Sequence, residues 1–264
     1  MKTEGTVRLV RSGIPLGLIF FFSTHPLMAQ SSRQIVTQPI TWASYSANFK
    51  TSKKTMWFVD TQFRYAASAA ADQAFEPMQY MLRSHLDFKV SKDFSIAPLG
   101  GALVWNFRYG KQPATIPNSE YRLYQQFMYE HQLGKLKVNH RLRTEERFIE
   151  EHDPVTGLST GHTNRQFRPR YRFQATLPLN NADDNSVKFS AQFFYEGFIS
   201  RGKKVTFHDV DQNRLFAGLT CRPVNHLTIG LGWYYQMLIK SNGAKQENNL
   251  GTLLMVTHTV SLVD

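Results

Sequence analysis

Charged residues at every second position are the feature of this sequence with the clearest chemical capacity. One such series contains Arg141, Arg143 and Glu145, and a second runs from Arg168 to Arg172. A spacing of two places side chains on the same face of a β-strand. Guanidinium groups bind carboxylates through paired hydrogen bonds, and those left over attract other anions. The spacing therefore predicts an ion network with an affinity for negatively charged groups.

Other strand-like segments add charged residues of matching parity, which together define a candidate charge network. Its predicted members are Arg64, Arg83, Glu120, Arg122, Glu130, Arg141, Arg143, Glu145, Arg147, Arg168, Arg170, Arg172 and Glu196. When Lys89, Lys137, Lys188, Asp60 and Asp87 are added, twelve cations face six anions. Such a set can fill a narrow barrel with paired side chains, or it can line a pore that attracts anions. The sequence leaves both interpretations open.

The strand-like part of the sequence lacks the spacing expected of a lipid hydrolase. A serine two positions from its histidine would share its strand face and could transfer a proton to it. After residue 29 no histidine has a serine at that spacing, and the adjacent Ser84 and His85 must face opposite sides. The grouping of Ser159, His162 and Asn164 is typical of a polar surface loop. We therefore predict no catalytic residue, no metal ligand and no cofactor.

The first 29 residues have the organisation of a secretory signal peptide. Three basic residues precede an apolar block at residues 14–22, and the small residue Ala29 suits a signal peptidase. We predict cleavage after Ala29, followed by a separate N-terminal segment at residues 30–40. A retained membrane anchor is the alternative, which the shortness of the apolar block disfavours.

Long segments of alternating side chains are the main structural signal in the remaining chain. From Leu227 to Met237 large apolar residues occupy every second position, and from Thr55 to Tyr65 large apolar residues and threonines do so. These segments exceed the roughly 9 to 11 residues with which a tilted strand crosses a bilayer. A mean hydropathy of −0.37 excludes a bundle of membrane helices, which would need long apolar runs. We predict an all-β fold, a transmembrane antiparallel up-and-down β-barrel of 10 to 12 strands over residues 41–264.

Connection lengths alternate, which gives the predicted barrel an orientation. Short connections are expected near 91–93, 133–135, 180–185 and 223–225, and long ones near 66–75, 110–117, 150–163, 201–211 and 241–246. Outer-membrane barrels have short periplasmic turns and longer external loops. Counting from Thr55 gives ten strands. The segment Thr41–Phe49 would then either pair with residues 33–37 to make twelve, or lie inside the barrel or along its edge.

Several short motifs follow one another in a family-specific order. They are Trp42-Ala43-Ser44-Tyr45, Gln62-Phe63-Arg64, Glu120 to Gln126, Arg141 to Arg147, Arg170-Tyr171-Arg172 and Asn213-Arg214-Leu215. Their order and spacing resemble the uncharacterised outer-membrane barrel family catalogued as domain of unknown function 2490. The resemblance implies a secreted β-barrel, with no established activity or catalytic residues to transfer.

The bacterial outer membrane is the predicted location. The expected partners there are membrane lipid, the barrel-assembly machinery and, through an open lumen, small anionic solutes. A net charge of +11 would favour nucleic-acid binding on a soluble protein, but these cations alternate with lipid-type residues, so no nucleic-acid partner is expected. We predict a barrel with a basic lumen that acts as a structural protein or as an anion-preferring channel for small solutes. The alternatives are an outer-membrane lipid-modifying enzyme and a soluble periplasmic β-sandwich binding protein.

Overall fold

The computed structural model describes residues 33–68, 75–110, 117–153, 155–180 and 187–263. The predicted signal peptide lies outside these residues, as do parts of the predicted connections at 66–75, 110–117, 150–163 and 180–185. The described residues form strands and turns without a helix, so none of them belongs to a helix that could cross a membrane.

Long strands occupy most of the described chain, because side chains of opposite character alternate over 12 to 20 residues at a time. In chain order the strands are β1 (Gln34–Lys50), β2 (Thr55–Ala67), β3 (Phe75–Lys89), β4 (Phe94–Asn106), β5 (Asn118–Leu133), β6 (Leu136–His152), β7 (Ser159–Pro178), β8 (Lys188–Ile199), β9 (Arg201–Gly202), β10 (Val210–Val224), β11 (Leu227–Ile239) and β12 (Lys245–Ser261). The two-residue β9 extends the pairing of β7 beyond the end of β8.

The remaining eleven strands close into a barrel, with each strand paired to both of its neighbours. Consecutive long strands are antiparallel, whereas β1 and β12 pair in parallel, from Gln34 opposite Lys245 to Lys50 opposite Ser261. When strand directions alternate around a ring with an odd number of strands, one pair of neighbouring strands must run in the same direction. The parallel pair is therefore the geometric consequence of eleven strands.

The predicted barrel of 10 to 12 strands is confirmed, with eleven strands in the wall. Both predictions for the segment Thr41–Phe49 are wrong, because it is part of the continuous strand β1 and pairs with β2 and β12. The sequence count assumed that every strand has two antiparallel neighbours. Strand β1 also begins at Gln34, within residues 30–40. The single closed sheet excludes the β-sandwich alternative.

Side chains are distributed in the opposite way to a soluble domain. Large apolar residues such as Trp57, Leu103 and Leu142 are exposed on the outer surface, whereas Arg143 and Glu145 are only 1% exposed inside. Charged groups are normally the residues that water keeps at a surface. An apolar exterior around a polar interior is the arrangement of a barrel surrounded by lipid.

The two ends of the barrel differ in the lengths of their connections. One end, the short-loop end, carries the connections at 51–54, 90–93, 134–135, 179–187 and 225–226. The other, the long-loop end, carries those at 68–74, 107–117, 153–158, 200–209 and 240–244. The alternation is less strict than predicted. The connection at 179–187 is longer than its neighbours, and the one at 240–244 is about as short as those of the opposite end.

Aromatic rings contact one another on the outer surface near both ends. Towards the long-loop end the Tyr80 ring lies 5.3 Å from Phe63 and 4.8 Å from Phe107, measured between ring centroids. Towards the short-loop end Phe49 lies 5.3 Å from Trp57. Aromatic side chains at two levels are typical of barrels, in which they mark the two membrane interfaces.

Candidate functional site

The inner faces of β6 and β7 carry the largest concentration of charge. Their register places Arg141 opposite Arg172, Arg143 opposite Arg170, and Glu145 opposite Arg168. Directly opposed side chains on one face are about 5 Å apart at Cβ, and like charges at that distance repel. Two of these three cross-strand pairs therefore need compensation from elsewhere in the barrel.

Glu145 provides the first compensation, and its side chain is almost completely buried. Its Oε2 accepts hydrogen bonds from Arg168 at 2.6 and 3.1 Å. Its Oε1 lies 3.0 Å from Nη2 of Arg170 and 3.9 Å from Nη1 of Arg143. One carboxylate thus holds three guanidinium groups.

Glu196, on β8, provides the second. Arg141 Nη2 donates to its Oε1 at 2.6 Å, and Arg170 Nε lies 3.7 Å from the same oxygen. The other oxygen lies 3.6 Å from Nη1 of Arg214 on β10. Glu196 therefore joins the charged residues of β6 and β7 to the next strands around the wall.

Two further carboxylates, Glu120 and Asp60, pair with arginines of β3, β5 and β6. Glu120 accepts from Arg122 Nε and Nη2 at 2.7 and 3.0 Å, and from Arg147 Nη2 at 3.0 Å. Asp60 accepts from Arg83 Nη2 at 2.8 Å. Bidentate contacts of this kind are among the stronger hydrogen bonds in proteins.

Aromatic rings provide a second kind of contact for the arginines. The guanidinium carbon of Arg64 lies 4.0 Å from the centroid of Trp42, and that of Arg143 lies 4.3 Å from Tyr124. Arg214 lies 4.6 Å from the ring of Phe198. An aromatic face attracts a cation through its negative quadrupole, most strongly where water is excluded. Arg64 depends on this contact, because its only described hydrogen-bond acceptor is the side chain of Gln62.

The central charge network contains more cations than anions. It consists of ten arginines, namely Arg64, Arg83, Arg122, Arg141, Arg143, Arg147, Arg168, Arg170, Arg172 and Arg214, and of the carboxylates Asp60, Glu120, Glu145 and Glu196. Of the other interior carboxylates, Asp87 contacts His85 and Glu247 contacts Lys240. Asp211 lines the cavity at the long-loop end and lies within 4.0 Å of no described cation. Six more guanidinium groups than carboxylates meet within this network.

Two of the cavities inside the barrel have part of the network as a shared lining. A cavity of about 340 Å³ extends towards the long-loop end, and it is lined by Gln79, Asn106 and other residues of that end. A second cavity of about 340 Å³ lies on the short-loop side. Arg64, Arg122 and Arg214 line both of them. These three side chains, here called the arginine layer, thus border both cavities.

The residues predicted to form the network lie on the inner wall. Glu130 also faces inwards, where it lines the cavity that opens at the short-loop end, but it does not contact the network. Glu130 lies near the short-loop end, pairs with Lys137 at 2.8 Å, and has a side chain about half exposed. The sequence analysis missed Arg214 as a network member, although it alternates with the outward-facing Leu215 and Ala217. It also missed the inward aromatic residues, such as Trp42, because aromatic residues were assigned to the lipid face.

The candidate hydrolase residues do not form a nucleophile and base pair. Ser84 and His85 lie on opposite faces: the hydroxyl of Ser84 accepts from Trp57 Nε1 at 2.8 Å outside. His85 lies inside, with Nδ1 2.9 Å from the Tyr124 hydroxyl and Nε2 3.0 Å from Asp87. Ser159 and His162 are exposed residues of β7. Among the described residues no group of three or more possible metal ligands comes together.

Comparisons with known proteins give a family and one structural likeness. A family model described as "Protein of unknown function (DUF2490)" matches residues 40–248, which include every strand of the charge network. No curated protein sequence matches the chain. The structure is similar to one described as "NanC porin structure in rhombohedral crystal form", with 11% identity and a TM-score of 0.41 over 79% of this chain and 94% of that one.

Proposed function

The chain belongs to the family described as "Protein of unknown function (DUF2490)", and from that premise we propose that it is an outer-membrane barrel that acts as a channel for small anions. The observation that carries the proposal is the position of the excess guanidinium groups, which lie on the inner wall between two cavities. Membrane location and anion preference rest on separate arguments.

The outer surface supports the membrane location. Eleven strands of 12 to 20 residues are long enough to cross a bilayer at a tilt. Their outward side chains are mostly apolar, and aromatic contacts occur towards both ends. We take the short-loop end as the periplasmic one, because outer-membrane barrels keep their short turns on that side.

The inner wall supports the preference for anions. Fixed positive charge in a tube of low dielectric constant raises the local concentration of anions and lowers that of cations. Arg64, Arg122 and Arg214, the side chains of the arginine layer, line both cavities. Movement of these long side chains would therefore change how the two cavities are connected.

The reversal potential of the refolded mature protein under a salt gradient in a planar bilayer tests this function. We expect an anion-selective wild type. The double variant Arg64→Gln with Arg172→Gln should be less selective, because it removes two lumen charges that no described carboxylate pairs. Selectivity should also fall with salt, since the Debye length decreases from about 10 Å at 0.1 M to about 3 Å at 1 M.

The control removes the same number of charges from the outside of the barrel. Arg165 and Lys204 have exposed side chains, at 69% and 64%, so Arg165→Gln with Lys204→Gln should leave the selectivity unchanged. A cation-selective wild type, or equal effects of the two double variants, would refute the channel proposal.

A structural barrel is the second candidate, favoured by the almost complete burial of Arg143 and Glu145. In that case the network fills the interior and stiffens the wall. The same bilayer experiment separates the two candidates, since a wild type that inserts without any conductance would leave only the structural function.

A further inference from the structure

Arg172 differs from the other arginines of the network in its contacts. No carboxylate oxygen of the described residues lies within 4.0 Å of its guanidinium group, and no described residue accepts a hydrogen bond from it. Its Nε is buried, and its recorded contact is with the ring of Phe194, 5.5 Å away. A buried donor without an acceptor is costly, which makes such groups rare unless something else binds them.

The residue that could compensate Arg172 is already engaged. Glu196 lies opposite Arg172 in the register of β7 and β8. Its oxygens, however, contact Arg141, Arg170 and Arg214. Arg172 therefore lies beside a carboxylate that three other arginines contact more closely, so its charge is only partly compensated.

The nearest cross-strand neighbour makes the imbalance larger. Arg141 lies directly opposite Arg172 on β6, and the Nε of Arg141 is also buried without an acceptor. Two adjacent guanidinium groups with unused donors repel each other, and one carboxylate or phosphate group can accept hydrogen bonds from both. We propose that Arg141 and Arg172 form a binding site for the carboxylate or phosphate group of a small solute, a site that deepens the proposed channel function and rests on it for the route of entry.

The space next to these arginines fits such a ligand. Arg172, Gln174 and Gln192 line two cavities. One is the cavity of about 340 Å³ on the short-loop side of the network, and the other is a cavity of about 560 Å³ that opens at the short-loop end. The site therefore lies between the mouth and the arginine layer. Ligand cavities of about 300 to 1,000 Å³ hold small organic molecules. The amides of Gln174 and Gln192 supply neutral donors, and Phe194 supplies an apolar surface.

The charge around the cavity of about 340 Å³ on the short-loop side indicates the class of ligand. Its lining residues include seven arginines, Arg64, Arg83, Arg122, Arg141, Arg170, Arg172 and Arg214, and two carboxylates, Asp60 and Glu196. Such an excess favours a di- or trivalent anion over a monovalent one. Chloride cannot accept bidentate hydrogen bonds as a planar carboxylate or a phosphate does. The site should therefore distinguish phosphate or citrate from chloride.

Thermal unfolding of the refolded mature protein in detergent tests the site without any need for conduction. The probes are inorganic phosphate and citrate, each compared with sodium chloride at equal ionic strength. We expect both probes to raise the melting temperature in a saturable manner, because a ligand that binds only the folded state stabilises it. Arg172→Gln should weaken the apparent affinity by at least about tenfold, the value of a charge-assisted hydrogen bond.

The control is Arg222→Gln, which removes an exposed cation from the mouth of the same cavity and should leave the affinity unchanged. Arg172→Gln should fold, because it relieves a repulsion. Arg172→Lys, which keeps the charge and loses the planar guanidinium, gives a second measure and should also bind more weakly. No saturable stabilisation of the wild type, or equal losses at positions 172 and 222, would overturn the site. A protein that binds but does not conduct would refute the channel alone, whereas one that conducts without binding would refute the site alone.

Discussion

Two parts of the inner wall stabilise buried arginine side chains in different ways. The charged wall, formed by β5, β6 and β7, buries ion pairs such as Glu120 with Arg122 and Glu145 with Arg168. The aromatic wall, formed by β1, β10, β11 and β12, buries rings, with Trp42 edge-on to Tyr234 at 4.9 Å between centroids. Both face one lumen, and both have lipid-type side chains on the other side of the strand.

The difference shows what a buried guanidinium group requires. In the charged wall its desolvation is offset by carboxylates that accept paired hydrogen bonds. At the aromatic wall, the guanidinium groups of Arg64, from β2, and of Arg214, from β10 itself, lie 4.0 and 5.5 Å from the ring of Trp42. Both carboxylates and aromatic rings thus stabilise a buried arginine. The charged wall and the aromatic wall should nevertheless respond differently to substitution.

The largest expected effect is the loss of the central carboxylate of the charged wall. Glu145→Gln leaves Arg143, Arg168 and Arg170 close together without their shared anion. Breaking a buried ion pair costs about 3 to 5 kcal/mol, so the free energy of unfolding should fall by about that amount. Urea titration of the protein folded into lipid vesicles measures it. A change below about 1 kcal/mol would show that water, and not Glu145, compensates these arginines.

The next effect concerns the aromatic wall. Trp42→Leu removes a ring that contacts both Tyr234 and the guanidinium group of Arg64. The smaller side chain leaves a gap, and Arg64 loses its main stabilising contact, for a combined cost of about 2 to 3 kcal/mol. Trp42→Phe keeps an aromatic face and should cost less than Trp42→Leu in the same titration. Equal costs would assign the effect to volume and none of it to the cation contact.

Tyr124 sharpens the comparison because it is an aromatic residue within the charged wall. Its hydroxyl lies 2.9 Å from His85 Nδ1, and its ring lies under Arg143 at 4.3 Å. Tyr124→Phe keeps the ring and should lower the unfolding free energy by about 1 to 2 kcal/mol, through the unpaired His85. Tyr124→Leu should cost more, since it also removes the face on which Arg143 lies. If Tyr124→Phe cost more than Tyr124→Leu, the contact between the ring and Arg143 would not contribute to stability.

The smallest expected effect comes from an exposed ion pair at the short-loop end of β5 and β6, away from the buried pairs of the charged wall. Glu130→Gln breaks the pair with Lys137, whose partners are both about half exposed. Solvent screens such pairs, so the unfolding free energy should change by less than about 1 kcal/mol. High salt should reduce even this difference. A loss as large as that of Glu145→Gln would mean that burial does not distinguish the two carboxylates.

The sequence predicted the charged wall better than the aromatic one, and there is a physical reason. In the part of a strand that lies within the lipid, arginine or glutamate is stable on the interior face and costly on the lipid face, so the parity of Arg141, Arg143 and Glu145 predicts their side. An aromatic residue is stable in either place. Trp42 and Phe194 therefore carried no signal by type, although the parity of Glu196 would have placed Phe194 inside.

Pairing partners were harder to predict than faces. Alternation places Glu196 on the inner face, but it does not show that one carboxylate meets arginines of β6, β7 and β10. Such contacts depend on the curvature and register of the closed ring. The parallel closure was missed for the same reason, since β1 and β12 carry no local sign of being neighbours.

That closure has a consequence for the order of assembly. Every other pair of neighbouring long strands is joined by a connection close in sequence, whereas Gln38 and Asn249, hydrogen-bonded at 3.0 Å across β1 and β12, are 211 residues apart. The entropic cost of bringing two chain segments together rises with the number of residues between them. During folding, one edge of the first strand therefore stays unpaired until the last strand has been made and can reach it. A catalyst of barrel assembly that shields this open edge would therefore have to recognise β1 early and release it only to β12.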